Sequence, residues 1–338
     1  MRTARIKEEG AAYYHVISRI VDRQRLLDDG EKERWRELLH KTAGFSGVEV
    51  LAWTVLDNHW HVLLHVPAPR EIADAEFLER LGYLYSSLDV RQIAATLESM
   101  RAEGDREGAQ RLKATYVRRM HDVSEFAKTL KQRFSQSYNQ RHGRSGPLWE
   151  DRFKSVLLGG TGNGLAMVAS YIELNCVRAG IVTDPRKYRF CSYAEAMGGS
   201  ASAREGIRKV ISAYGEVTGW VAAAARYRQL IYVRGEAAPI TDGAPASRPG
   251  FSPATVRAVI EKGGLLPLTD VLRCRVSYFT DGLVLGTRNF VEDVLTRPRA
   301  RLARKREIVL RAMVGADWDA LQVLRHPRRA PVATPLTT

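Results

Sequence analysis

Two apolar runs, residues 48–56 (VEVLAWTVL) and 59–66 (HWHVLLHV), are separated only by Asp57 and Asn58, and no other feature constrains this chain as much. Runs this rich in β-branched and aromatic residues read as strands, and a two-residue polar break between them reads as a tight antiparallel hairpin. Residues 13–20 (YYHVISRI) read as an earlier strand. Between them DDGEKERWRELLHKTAGF has a helical stripe at Trp35, Leu38 and Leu39, with Asp28 or Asp29 to cap it and Gly44 as its expected stop.

Pro67 and Pro69 end the hairpin, and residues from about 70 to 142 carry densely charged helical patterns. GRSGP then breaks the helix, and LWEDRFKSVLL reads as a further strand. After a glycine-rich turn, LAMVASYIELNCVRAGIV has helical periodicity, with Gly180 as the stop. The order β-α-β-β-α-β-α, with hairpin pairing and four strands, predicts an α+β fold: a ferredoxin-like antiparallel sheet with helices packed on it and a helical insertion. A small, mostly helical C-terminal module is expected to follow.

The 338 residues suggest about two domains. The expected division is a catalytic domain over 1–200, a helical extension over 201–235, a linker over 236–250, an accessory module over 251–316 and a tail over 317–338. Three scattered cysteines, Cys176, Cys191 and Cys274, form neither a disulfide framework nor a zinc motif. With no apolar leader and no run approaching a membrane span, the expected setting is cytoplasmic, at the nucleoid, with no membrane partner. Lys plus Arg number 52 against 38 Asp plus Glu, a net charge of +14, so a polyanion is the expected partner.

His59 and His61 are two apart on an expected strand, so both imidazoles point to one face while Trp60 points to the other, into the core. Taken alone, such a pair is more often a partly exposed polar sheet face than a metal site. Tyr171 and Asn175 are four apart on an expected helix and share its face; alone, they read as a half-buried aromatic and a polar residue near a helix end. His65 keeps the parity of the pair but lies roughly 13 Å farther along, outside the same site. His15, His121 and His142 have no comparable spacing and receive no role.

DNHWHVLLHV, GPLWEDRFKS and SYIELNCVRAG, in that order, resemble the REP-associated tyrosine transposases, a branch of the single-tyrosine His-hydrophobic-His transposases that act on single-stranded DNA. The resemblance spans about residues 13–195, and Cys176 stands where the family usually has proline. It implies that His59 and His61, with Asn175, hold a divalent cation, Mg²⁺ or Mn²⁺. It implies that Tyr171 is the nucleophile, giving a 5′-phosphotyrosine and a free 3′-hydroxyl. The implied partner is single-stranded DNA, at hairpin-forming repeats. With one motif tyrosine, a two-ended reaction needs two protomers or two successive cycles, so a homodimer is one expected form.

Cations interleaved with aromatic rings suit a single-strand groove. Lys131, Arg133, Arg141 and Arg144 lie just before the expected strand LWEDRFKSVLL, Arg152 and Lys154 lie on it, and Arg178 follows Tyr171 by two turns. These are the expected DNA contacts, the bland alternative being the solvated face of a helix. RPRARLARKR in the distal module adds further basic charge. The main rival function is a domesticated nucleic-acid-binding protein without catalysis. A relaxase or replication initiator is a weaker rival, because no P-loop accompanies the histidines.

Overall fold

The computed structural model describes residues 5–213, 215–231, 268–272, 275–297, 309–313, 316–325 and 332–333. β1 (Ala12–Arg19) leads into α1 (Asp29–Ser46), where Asp28 is the cap and accepts from the Glu31 amide at 2.8 Å. α1 runs past Gly44 and stops at Gly47, which takes the left-handed φ of 65° that favours glycine. Gly44 serves packing instead: a Cβ there would meet the Tyr83 ring at 2.6 Å.

β2 (Glu49–Val55) and β3 (His59–Val66) form the expected hairpin, Val55 opposite Trp60. β1 pairs antiparallel with β3, setting Ile17 opposite His61, and β4 (Lys154–Leu158) pairs antiparallel with β1. The strand order β2-β3-β1-β4 is ferredoxin-like, as the element order predicts. β4 is shorter than expected: Trp149 makes only an isolated bridge to Ile20.

The insertion consists of α2 (Asp74–Gly82), α3 (Ser87–Ala102), α4 (Arg106–Val117) and α5 (Val123–Arg141). Phe77, Leu81, Leu97, Ala109 and Met120 give it an apolar cluster of its own, shared with Phe45 of α1. α5 also lies beside α1 on one face of the sheet. There Trp60 packs against Trp35 and Trp149, with ring centroids 5.5 and 6.4 Å away, and Phe134 lies 5.8 Å from Trp149.

The opposite face carries α6 (Gly164–Glu173), α7 (Asn175–Arg178), α8 (Ser192–Met197), α9 (Ala201–Ser212) and α10 (Gly219–Ile231). The expected single helix around Tyr171 is divided at Leu174, whose ψ is 2°.

The C-terminal part supplies the expected helices, α11 (Leu268–Leu272), α12 (Ser277–Asp281) and α13 (Arg288–Thr296). It also supplies strands that the sequence reading lacked. β5 (Arg275–Val276) pairs with β9 (Val332–Ala333). β6 (Val284–Gly286), β7 (Val309–Ala312) and β8 (Gln322–Arg325) extend the main sheet to seven strands, ordered β2-β3-β1-β4-β6-β8-β7. β6 pairs parallel to β4, with Leu157 opposite Val284. Residues 317–325 therefore belong to the folded body and not to a tail: a turn leads into β8, and Trp318, Leu321, Val323 and Leu324 are buried. Runs of three or four residues are too short to show an alternation. The linker 236–250 and residues 298–308, which hold most of the basic cluster, lie outside the described residues.

Candidate active site

Strand alternation puts His59 and His61 on the face away from Trp60, and the β1–β3 register brings His15 onto that same face. All three imidazoles are buried. His15 Nε2 lies 2.9 Å from His61 Nδ1, and its Nδ1 donates to the Phe279 carbonyl at 2.8 Å. His59 Nδ1 lies 2.5 Å from Asn58 Oδ1. Burial pushes the His15 imidazole down to about 4, and burial together with His15 and His59 holds His61 well below the ordinary histidine range. His15 and His61 are thus neutral at physiological pH, the state in which imidazole ligates metal.

α6 brings the Tyr171 ring edge-on to this cluster, 6.2 Å from His61 and 6.5 Å from His15 between centroids. Phe279 of α12 covers it at 5.2 Å, and Tyr171 is only 3% exposed. On α7, Asn175 Nδ2 lies 3.1 Å from His59 Nε2, so the expected ligand does reach the pair. Its amide oxygen faces the other way and accepts from Arg178 at 3.2 Å. Arg178 also donates to the Tyr171 and Leu272 carbonyls at 2.7 and 2.9 Å and stacks 3.7 Å over the Tyr171 ring.

Tyr171, His59, His61 and Asn175 are therefore brought together around one point. Among the described residues no group of three His, Cys, Asp or Glu side chains forms a metal cage. In donor chemistry two imidazoles and an amide oxygen suit a divalent cation, provided that the Asn175 amide turns over.

The expected DNA contacts do not share one environment. Lys131 donates to the Asp151 carbonyl at 2.6 Å, and burial pushes its ammonium down to about 8. Arg141 grips the carboxylate of buried Glu31 through Nε and Nη2, at 3.1 and 2.5 Å. Arg144 lies 5.9 Å over Tyr138. Arg178 is drawn inward as described. Arg152 and Lys154 are exposed, Lys154 beside Asp281 at 3.0 Å. Arg133 stacks 5.3 Å from Tyr85 and lines a polar cleft of about 840 Å³ with Arg118, Arg119 and Lys128. That cleft is formed by α5 and the turn after α4, the helices on the side of the sheet opposite the imidazoles.

Sequence reasoning missed His15, Asn58 and Phe279. Asn58 adjoins the histidine motif, and an amide there is an ordinary partner for a ligand imidazole. His15 needed the register between β1 and β3, and Phe279 needed the C-terminal strands.

The comparisons with known proteins bear on this geometry. Over residues 10–92 the chain matches the family described as transposase, IS200-like. That match bears out the transposase resemblance over the stretch that carries the first motif, DNHWHVLLHV. The matched stretch holds His15, His59 and His61 and ends before Tyr171 and Asn175. A solved structure described as the REP-associated tyrosine transposase bound to a REP hairpin aligns over 66% of this chain and 96% of its own, at 16% identity and a TM-score of 0.39. No curated protein matches. No described helix is long and apolar enough to cross a membrane.

Proposed function

We propose that this transposase relative is a metal-dependent enzyme that nicks and rejoins single-stranded DNA at hairpin-forming repeats, with Tyr171 as nucleophile. The observation that carries the reading is the placement of Tyr171 beside His61, with Asn175 on His59, three elements meeting at one site. His59 and His61 through Nε2, and Asn175 through Oδ1, would hold Mg²⁺ or Mn²⁺. When bound, the cation supplies polarisation of the scissile phosphate and neutralisation of charge building on its oxygens.

The protein's own residues do the rest. Tyr171 Oη attacks phosphorus and loses its proton, an O–P bond forms to the 5′ side, and the 3′ oxygen leaves and is protonated to a hydroxyl. Reversal by a 3′-hydroxyl rejoins the strand without ATP, because the phosphodiester energy is held in the tyrosyl ester. Arg178, held by the Tyr171 and Leu272 carbonyls and stacked on the phenol ring, keeps that ring against the imidazoles. Arg152 and Lys154, exposed beside β4, provide phosphate contacts for the incoming strand. Two protomers, or two cycles, complete a two-ended transfer.

The burial of Tyr171 under Phe279 favours a second reading, a nucleic-acid-binding protein that no longer cuts. The two separate in one experiment. Labelled hairpin DNA with an unpaired flank is incubated with the full chain and Mn²⁺ or Mg²⁺, then resolved in SDS. The enzymatic reading expects a covalent adduct that Tyr171→Phe and EDTA each abolish; DNA retention without adduct across a panel of hairpins leaves the binding protein.

A further inference from the structure

We propose that His15 is a positioning residue which, backed by the Phe279 carbonyl, fixes His61 in the tautomer whose Nε2 carries the lone pair. The inference rests on the metal-dependent reading above and names the group that prepares one of its ligands.

A carbonyl oxygen accepts and cannot donate, so His15 Nδ1, 2.8 Å from the Phe279 oxygen, carries the hydrogen. A neutral imidazole has a single N–H, so His15 Nε2 holds a lone pair. That nitrogen is 2.9 Å from His61 Nδ1, which must therefore be the donor. The lone pair of His61 is left on Nε2. Both rings are almost fully buried, so water does not compete for these bonds.

His59 reaches the same state by another route. Asn58 Nδ2 donates to the Arg23 carbonyl at 3.1 Å, which makes its Oδ1 the acceptor for His59 Nδ1. His59 Nε2 then accepts from Asn175 Nδ2. Two separate chains of hydrogen bonds, one anchored at Arg23 and one at Phe279, present two Nε2 lone pairs. A ligand histidine commonly donates its other N–H to such a partner, and losing that partner costs metal affinity. A second imidazole in that place is unusual, because it can be a pure acceptor only while its far nitrogen is held as a donor. Phe279 does this from a C-terminal segment 264 residues away. The C-terminal part thus helps to build the catalytic face as well as to cover it.

Two-bond ¹H–¹⁵N spectra of the ¹⁵N-labelled full chain near neutral pH read the tautomer directly, with His61→Gln to assign the signal. The expected result is His61 and His15 both protonated at Nδ1; His61 protonated at Nε2 in the wild-type chain overturns the proposal without any further variant. His15→Leu is expected to move the His61 proton to Nε2 and to weaken Mn²⁺ binding roughly 10–100-fold by calorimetry. His15→Gln can accept from His61 through Oε1 and donate to Phe279 through Nε2, so it should keep both the tautomer and the Mn²⁺ affinity near wild type. Unchanged tautomer and affinity in His15→Leu would also overturn it. Should the wild-type chain bind no Mn²⁺, the metal reading fails, while the position of the His61 proton still decides on the relay.

Discussion

The two faces of β3 are built from alternate residues of one strand, yet they obey opposite rules. Trp60, Val62 and Leu64 lie among Trp35, Phe134 and Trp149, where apolar area and ring packing hold α1 and α5 to the sheet. His59 and His61 lie among His15, Asn58, Asn175 and Arg178, where the side chains are oriented by hydrogen bonds. The first face tolerates changes of shape poorly but carries no direction. The second depends on which atom donates. A rigid apolar side is what allows the polar side to hold imidazoles still without help from solvent.

The sharpest way to break this division is Trp60→Ala. Removing a fully buried indole is expected to cost about 3–5 kcal/mol in urea unfolding and to abolish DNA adduct formation with it. A stable protein that had lost only activity would show that Trp60 serves the site and not the core.

Glu173 offers a test within the layer that covers the imidazole face. Its carboxyl is buried, 2.5 Å from Ser192 Oγ and 3.0 Å from the Tyr193 amide, and burial pushes it up to about 7. The folded-state value lies above the unfolded one, so its contribution is complete below about pH 4.5 and is lost as pH rises through about 7. The loss is on the order of 3 kcal/mol by linkage. Glu173→Gln keeps one acceptor and one donor in place and should flatten that part of the stability profile between pH 5 and 8, measured by urea melts. An unchanged slope would put the carboxyl in contact with water.

On the tryptophan side, Glu31 is a buried carboxylate gripped by Arg141, with His142 Nε2 at 3.1 Å. Burial opposes its charge, but Arg141 and His142 bring it below the usual carboxylate range. Arg141→Ala is expected to destabilise by about 2 kcal/mol, short of the full loss of a buried pair because His142 stays. The DNA affinity of that variant should change little. A large fall in affinity at unchanged stability would return Arg141 to the DNA surface. The smallest effect belongs to exposed Arg152: Arg152→Ala should lower the salt slope of DNA binding by about one phosphate contact.

What the sequence made legible follows from the range of the interactions involved. The hairpin, the core side of Trp60 and the shared face of His59 and His61 depend on neighbours within a strand, and a period of two is visible in eight residues. α1 and its Asp28 cap are equally local. Tyr171 and Asn175 were legible as a helical pair, although the break at Leu174 was not, since nothing in ELNC marks it. His15 was opaque because its meaning lies in a register with a strand 46 residues away. The cations of α5 divided in a way that no pattern shows: Lys131 and Arg141 turned inward to a carbonyl and a carboxylate, whereas Arg133 faces a cleft. β6 and β8 were hidden for a simpler reason: each is only three or four residues long, and their buried residues, Val284 and Leu285, Val323 and Leu324, are adjacent and do not alternate.

The bond between His15 and the Phe279 carbonyl has a temporal side. Translation at 5–20 residues per second separates the emergence of these two residues by tens of seconds. Throughout that interval the nascent chain can fold its first four strands yet lacks the oxygen that orients its buried imidazoles. The orientation of the buried imidazoles is then a late event, completed only when the segment that carries Phe279 has emerged and docked.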